Sequence, residues 1–217
     1  MKIKPILFGT PMVQGILEDR KNQTRRTQGL KIINENPDDW ENIFQDKDGN
    51  WFASTESAEG DCLYPVECPK QIGDILWVRE TFEIVPIETA SVYTADSNVQ
   101  KKLRYKADGE DSFEKWKPSI FMPKSACRIF LKVTNVRVER LNDITEEDAI
   151  SEGIIKHSDY GSTGYILYTE PEAAYTDIDA VYSFESLWES INGKESWEAN
   201  PWVWVYDFKR VDKPENF

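Results

Sequence analysis

Lys21 and Thr24 lie three residues apart in the segment "LEDRKNQTRR", Leu17 to Arg26. Residues of these types could carry out acyl transfer. A threonine hydroxyl is a weak nucleophile until a neighbour takes its proton. A lysine amine can do so when desolvation or nearby cations lower its pKa. Arg20, Arg25 and Arg26 crowd the same seven positions and would supply that positive field. Lys21 and Thr24 share a face if the turn between them is helical and diverge if it is extended. Amide hydrolysis also needs donors for an oxyanion and a carboxylate to hold the lysine. Glu80, at the end of "ILWVRE", is the candidate, against the plainer alternative of an ion pair with Arg79, Arg25 or Arg26.

Binding alone asks for less. Arg20, Arg25, Arg26 and Arg79 could hold a phosphate or the edge of a base. Trp77, Trp116 or Phe121 could stack on that base, although core packing is the commoner fate of a tryptophan.

The background makes the basic segment conspicuous. The chain has 217 residues and a formal net charge of −13. Yet its first 26 residues hold Lys2, Lys4, Arg20, Lys21, Arg25 and Arg26 against only Glu18 and Asp19. An acidic body argues against a general phosphate-tracking surface. A local basic cleft fits a small anionic ligand or a short nucleic-acid segment. Cys62, Cys68 and Cys127 lack metal-ligand spacing, and His157 is the single histidine, so no zinc set and no cofactor is expected. The odd cysteine count points to a reducing cytoplasm. No apolar run approaches the ~20 residues of a membrane helix.

Several elements must position these residues. "KPILF" reads as a strand, and "TPMVQGILEDR" as a helix capped by Thr10 with Pro11 at its first position. "QTRR" leads into a second strand. "IGDILWVRETF" is the clearest strand, entered through a Gly73-Asp74 turn. "CRIFLKVTNVRVERL" is a long β segment bent near Asn135. "DITEEDAISEG" reads as a short helix capped by Thr145 and stopped by Gly153. "VYSFESLWESING" places Val181, Phe184, Leu187, Trp188 and Ile191 on one helical face. "PWVWVYDFKRV" alternates so that both faces look covered. Polar stretches at about 27–70, 83–117 and 154–180 read as insertions, the first with little regular structure. The expected fold is α+β and mainly β: one domain, 1–217, built as a small β-barrel with peripheral helices.

The order of motifs resembles the ASCH domain family, which belongs to the PUA-like superfamily, and the phrases "LWVRETF", "WKPSIFMP" and "SWEANPWVWV" resemble its phage and prophage members. The family signature Gly-x-Lys-x-x-(Glu/Thr)-x-Arg is met here by Lys21, Thr24 and Arg26, with Asp19 in the glycine's place. Gly73-Asp74 and "DITEEDAISEGI" follow in the family's order. The resemblance implies a PUA-like barrel and a role in RNA or nucleotide biology. Threonine at Thr24 resembles the small members that hydrolyse N4-acetylated cytidine with a lysine, a threonine and a glutamate. The family's glutamate falls at Lys132, in "LKVTN". Three functions are therefore expected to compete. The first is binding of a nucleoside or short nucleic-acid segment, with RNA favoured over DNA and a modified base as the target. The second is an amidohydrolase acting on an N4-acylated cytidine through Lys21, Thr24 and Glu80. The third is an acidic surface that docks a protein partner or mimics nucleic acid.

Overall fold

The computed structural model describes residues 1–55, 62–86, 101–109, 111–112, 115–159, 162–170, 178–215 and 217. Expectations for the other positions within the three polar stretches lie outside the described residues. In chain order the elements are β1 (Ile3–Leu7), α1 (Thr10–Leu17), β2 (Gln23–Arg26), β3 (Asn42–Gln45), β4 (Trp51–Thr55), β5 (Cys62–Val66), β6 (Ile75–Arg79), β7 (Phe82–Pro86), β8 (Lys101–Tyr105), β9 (Phe130–Arg140), α2 (Glu146–Ser151), β10 (Lys156–Asp159), β11 (Ser162–Tyr165), α3 (Ala180–Asn192) and β12 (Trp202–Val211). The protein is mainly β with a few helices. No helix among the described residues is long and apolar enough to cross a membrane.

All five strands expected to form the body join one sheet, in the order β1-β6-β9-β12-β2. β1 runs parallel to β6, and the other neighbours are antiparallel. The expected barrel does not close. The two edge strands form no ladder with each other, and the sheet stays open. β2 is only four residues long. β1 carries Pro5, which has no N–H to give and is tolerated on an edge strand. One side chain spans the gap between the edges: Arg26 on β2 donates from Nη2 to the Leu7 carbonyl at 2.8 Å.

Alternation along β12 creates two cores. Trp202, Trp204, Tyr206 and Phe208 pack on one face with Phe8, Val13 and Ile16 of the β1–α1 segment. Val203 and Val205 pack on the other, with Ala149 of α2 and Phe184, Leu187 and Trp188 of α3. A sheet covered on both sides reads as a continuous apolar run, which is what "WVWVY" is. A bulge interrupts the β9–β12 pairing where Asp207 faces Asn135 and Phe208 faces Val133, so the bend foreseen near Asn135 is present.

The stretch 27–70 departs from expectation. It is not an irregular insertion: β3, β4 and β5 form a three-stranded antiparallel sheet of their own. Leu30, Ile33, Ile43, Ala53 and Val66 enter the first core. The β3–β4 turn is built by Asp46, whose carboxylate accepts from the backbone of Asp48 and Asn50, with Gly49 at φ 86°. β7–β8 and β10–β11 are separate hairpins outside the main sheet. At α1, Gly9 takes the cap position and Thr10 begins the helix, so Thr10 is no side-chain cap. Thr145 caps α2 as expected, accepting from Asp148 N at 3.2 Å. The Gly73-Asp74 turn also forms. Asp74 ties β1 to β6 by accepting from Lys2 N at 2.8 Å and pairing with Lys4 at 2.7 Å.

Candidate functional site

The basic segment folds as a tight helix exit. α1 ends at Leu17, and Asp19 adopts φ 56°, the left-handed conformation that favours glycine. Aspartate is among the few other residues that adopt it, so the turn survives without the glycine. The chain then folds back onto α1: Arg20 N and Lys21 N both donate to the Gly15 carbonyl, at 2.8 and 2.9 Å. Asn22 N donates to Ser151 O at the end of α2.

Two glycines let the backbones come this close. A Cβ on Gly15 would lie 3.2 Å from the Lys21 Cβ, and one on Gly153 would lie 2.6 Å from it. Gly153 also has φ 87°. Gly153→Ala is therefore expected to cost at least ~2 kcal/mol in denaturant unfolding, from backbone strain plus overlap. Gly73 is the control. It has the same φ of 87° with nothing within 4 Å of its Cβ position, so Gly73→Ala should cost only the strain part.

Inside this clamp the Lys21 side chain is fully buried. Its Nζ donates to Glu152 Oε2 and to the Glu152 carbonyl, both at 2.7 Å. Burial pushes the Lys21 pKa below the ordinary lysine value. The Glu152 carboxylate opposes that shift, and Arg26 and Arg25 add to it. Glu152 also serves Arg25, whose Nη1 meets Oε1 at 3.2 Å. β2 is an edge strand, so a group lying beyond its free edge can reach both residues.

The four cations have different roles. Arg20 is a clamp, bonding Glu18 and the Gly153 carbonyl. Arg25 is buried and committed: Nη1 meets Gln23 and Glu152, and Nη2 meets Glu139 at 2.6 Å and Asp148 at 3.0 Å. Lys21 is held by Glu152. Arg26 is the exception. It forms no ion pair among the described residues: Nη2 reaches the Leu7 carbonyl, and the buried Nε, like that of Arg25, has no partner among the described residues. Arg26 and Lys21 both approach the Phe8 ring, at 5.2 and 5.7 Å.

A cavity of about 260 Å³ opens here. Thr24, Arg25, Arg26 and Glu152 form its polar wall, and Met12, Phe184, Leu187 and Trp188 are among its apolar residues. Lys21 stands behind Glu152. A second space of about 500 Å³ adjoins it, sharing Met12, Arg26, Leu187 and Ile191 and lined further by Leu7, Phe8 and Pro11. Ile191, expected on the buried face of α3, is 53% exposed and lines both spaces.

Other expected members lie elsewhere. Glu80 is fully buried, but both of its oxygens accept from Arg128 at 2.9 Å. Burial pushes its pKa up against that bond, and Asp108 adds to the rise. Lys21 is held by Glu152 instead. Arg79 lies 5.4 Å from the Trp77 ring and bonds the Ile120 carbonyl, while Trp77 packs on Phe217 at 6.0 Å. Neither lines the cavity around Thr24. Phe121 is 70% exposed, and Trp116 is half-buried. Lys132 is exposed, facing Lys209 and Ile75 across the sheet.

Sequence reasoning missed Glu152. The available signal was its place just before Gly153, the stop of a well-capped helix. Comparison of the chain with protein-family models, with curated proteins and with solved structures returns no match.

Proposed function

We propose that the cavity at the free edge of β2 binds a single nucleobase or nucleoside and hydrolyses an acyl group carried on its exocyclic amine. The observation that carries this reading is the buried Lys21–Glu152 pair, at 2.7 Å, whose Glu152 member lines the same cavity as Thr24. Lysine, threonine and glutamate are the residue types that the resemblance to ASCH amidohydrolases calls for. Glu152 supplies the carboxylate for which Glu80 was the candidate. A space of about 260 Å³ suits one base. The PUA-like character of the fold belongs to the same proposal.

In this reading the Lys21–Glu152 pair acts as one proton acceptor. It takes the Thr24 hydroxyl proton as the oxygen attacks the acyl carbon. The Arg26 guanidinium, with unused donor capacity, faces the oxyanion. Collapse breaks the C–N bond, the pair returns the proton to the leaving amine, and water hydrolyses the threonyl ester. Low polarity around Lys21 matters, because a fully solvated ammonium would not accept a proton at neutral pH.

A second reading is a reader of modified bases without turnover. It is favoured by the two acceptors at 2.7 Å on the Lys21 Nζ, which hold it as an ammonium. The deciding experiment incubates the purified protein with acylated and unmodified nucleosides, free and within short RNA and DNA. Binding is followed by calorimetry and products by mass spectrometry. Release of free acid with the unmodified nucleoside is expected. Saturable binding without product would leave the reader, and neither binding nor product would remove both readings.

A further inference from the structure

Lys70 is a second buried lysine, and nothing neutralises it. It is 5% exposed. Among the described residues its ammonium has no carboxylate partner and no hydrogen-bond acceptor; it stands over the Tyr206 ring at 5.1 Å. Lys21, equally buried, shows the usual remedy, a carboxylate and a carbonyl at 2.7 Å each. The Lys70 Nζ is not fully enclosed, yet a largely buried charge without a partner is still costly.

The surroundings of Lys70 raise that cost. The charges that act on its ammonium are the Arg26 and Lys4 cations, and burial with their repulsion pushes its pKa down to about 8, which the Cys68 thiol only partly opposes. Lys4 already has its own partner in Asp74. The Cys68 thiol donates to the Lys70 carbonyl at 2.8 Å and lies 3.9 Å from the Tyr206 hydroxyl, so neither group supplies a negative charge. Lys70 also lines a cavity of about 320 Å³, together with Gln45, Asp48, Trp51, Cys68, Gln71 and Ile72. Asp48 is exposed and forms no ion pair with Lys70. That cavity is distinct from the one around Thr24 and shares no residue with it.

We propose that the Lys70 cavity is an oxyanion site that takes a phosphate group, free or as a monoester. The argument is charge balance: the ammonium has no ion-pair partner among the described residues, the acidic residue on the lining, Asp48, lies exposed, and the space beside Lys70 has room for a tetrahedral anion. A phosphate would accept from Nζ. The site is independent of the hydrolytic reading of Thr24.

The test uses inorganic phosphate and glycerol phosphate as separate probes, each against sodium chloride at equal ionic strength, with thermal unfolding as the readout. Either probe should raise the unfolding temperature saturably, by a few degrees at about a hundredfold excess over Kd. Response to both marks a general phosphate site, and response to the ester alone marks a monoester site. Response to neither overturns the proposal. Lys70→Met should abolish the response while unfolding no earlier than the wild type in chloride, since it removes an unpaired buried charge. A phosphate response that persists in Lys70→Met also overturns it. A readout on the unaltered chain guards against a misfolded variant. Acylation of Lys70 by an amine reagent at pH 8, followed by peptide mass spectrometry, should slow at least fivefold in saturating phosphate. Equal labelling with phosphate and chloride counts against the site.

Discussion

Glu152→Ala is expected to cost about 3–5 kcal/mol of stability, more than any other single substitution around the cavity. One carboxylate serves two buried cations, Lys21 at 2.7 Å and Arg25 at 3.2 Å. Removing one partner of a buried pair leaves a charge with neither water nor counter-ion, and that is the costly event. Arg25 keeps Glu139 and Asp148, so most of the loss falls on Lys21. The urea midpoint of Glu152→Ala should drop accordingly. Lys21→Met should cost less, because the remaining Glu152 still meets Arg25. Combining Lys21→Met with Glu152→Gln should cost less than the two singles added together, with a coupling of about 1–3 kcal/mol. A Glu152→Ala protein within about 1 kcal/mol of wild type would mean that the Lys21–Glu152 contact contributes little.

The same pair marks where sequence reasoning stopped. Alternation in "WVWVY" placed a strand between two cores, and periodicity in "VYSFESLWESIN" placed a helix; both are short-range signals set by one element. Thr145 and Gly153 bounded α2 through local capping chemistry. Glu80 was preferred as the carboxylate because it ends a strand and because Lys132 occupies the position of the family's glutamate. Whether a carboxylate meets Lys21 depends instead on how α2 docks against the α1 exit, a contact between positions 131 residues apart. The β3–β5 sheet was missed because its strands are short and its apolar residues isolated, although the "DKDGN" turn carried the local signal. Barrel closure failed for a similar reason. Each edge strand looks ordinary by itself, and only the assembled sheet shows β1 and β2 linked by the Arg26 side chain rather than by a ladder. The crowding of cations from Arg20 to Arg26 was legible; their division into clamp, committed ion pair and uncommitted donor was not.

Thr24→Ala is expected to abolish hydrolysis of an acylated nucleoside, a loss of at least about a thousandfold in kcat, while stability falls by only about 1 kcal/mol, the usual scale of a single substitution. Thr24 is buried at a β2–β12 pairing position opposite Tyr206, so the backbone ladder holds the strand without its hydroxyl. Thr24→Ser keeps a hydroxyl and should retain measurable turnover. Lys21→Ala should match Thr24→Ala in kcat, and the double variant should be no slower than either, because residues acting as one unit give non-additive losses. Arg26→Ala should act mainly on KM if its guanidinium holds the base in ground and transition states alike, and on kcat if it meets only the oxyanion. Under the reader alternative there is no turnover to lose. Thr24→Ala then weakens binding about fivefold, the equivalent of ~1 kcal/mol. Arg26→Ala weakens it further, since charge-assisted bonds are roughly twice as strong. Turnover that survives Thr24→Ala would remove threonine from the chemistry and leave the Lys21–Glu152 pair to activate water directly, a result that single-turnover mass analysis would register as the absence of any acylated protein.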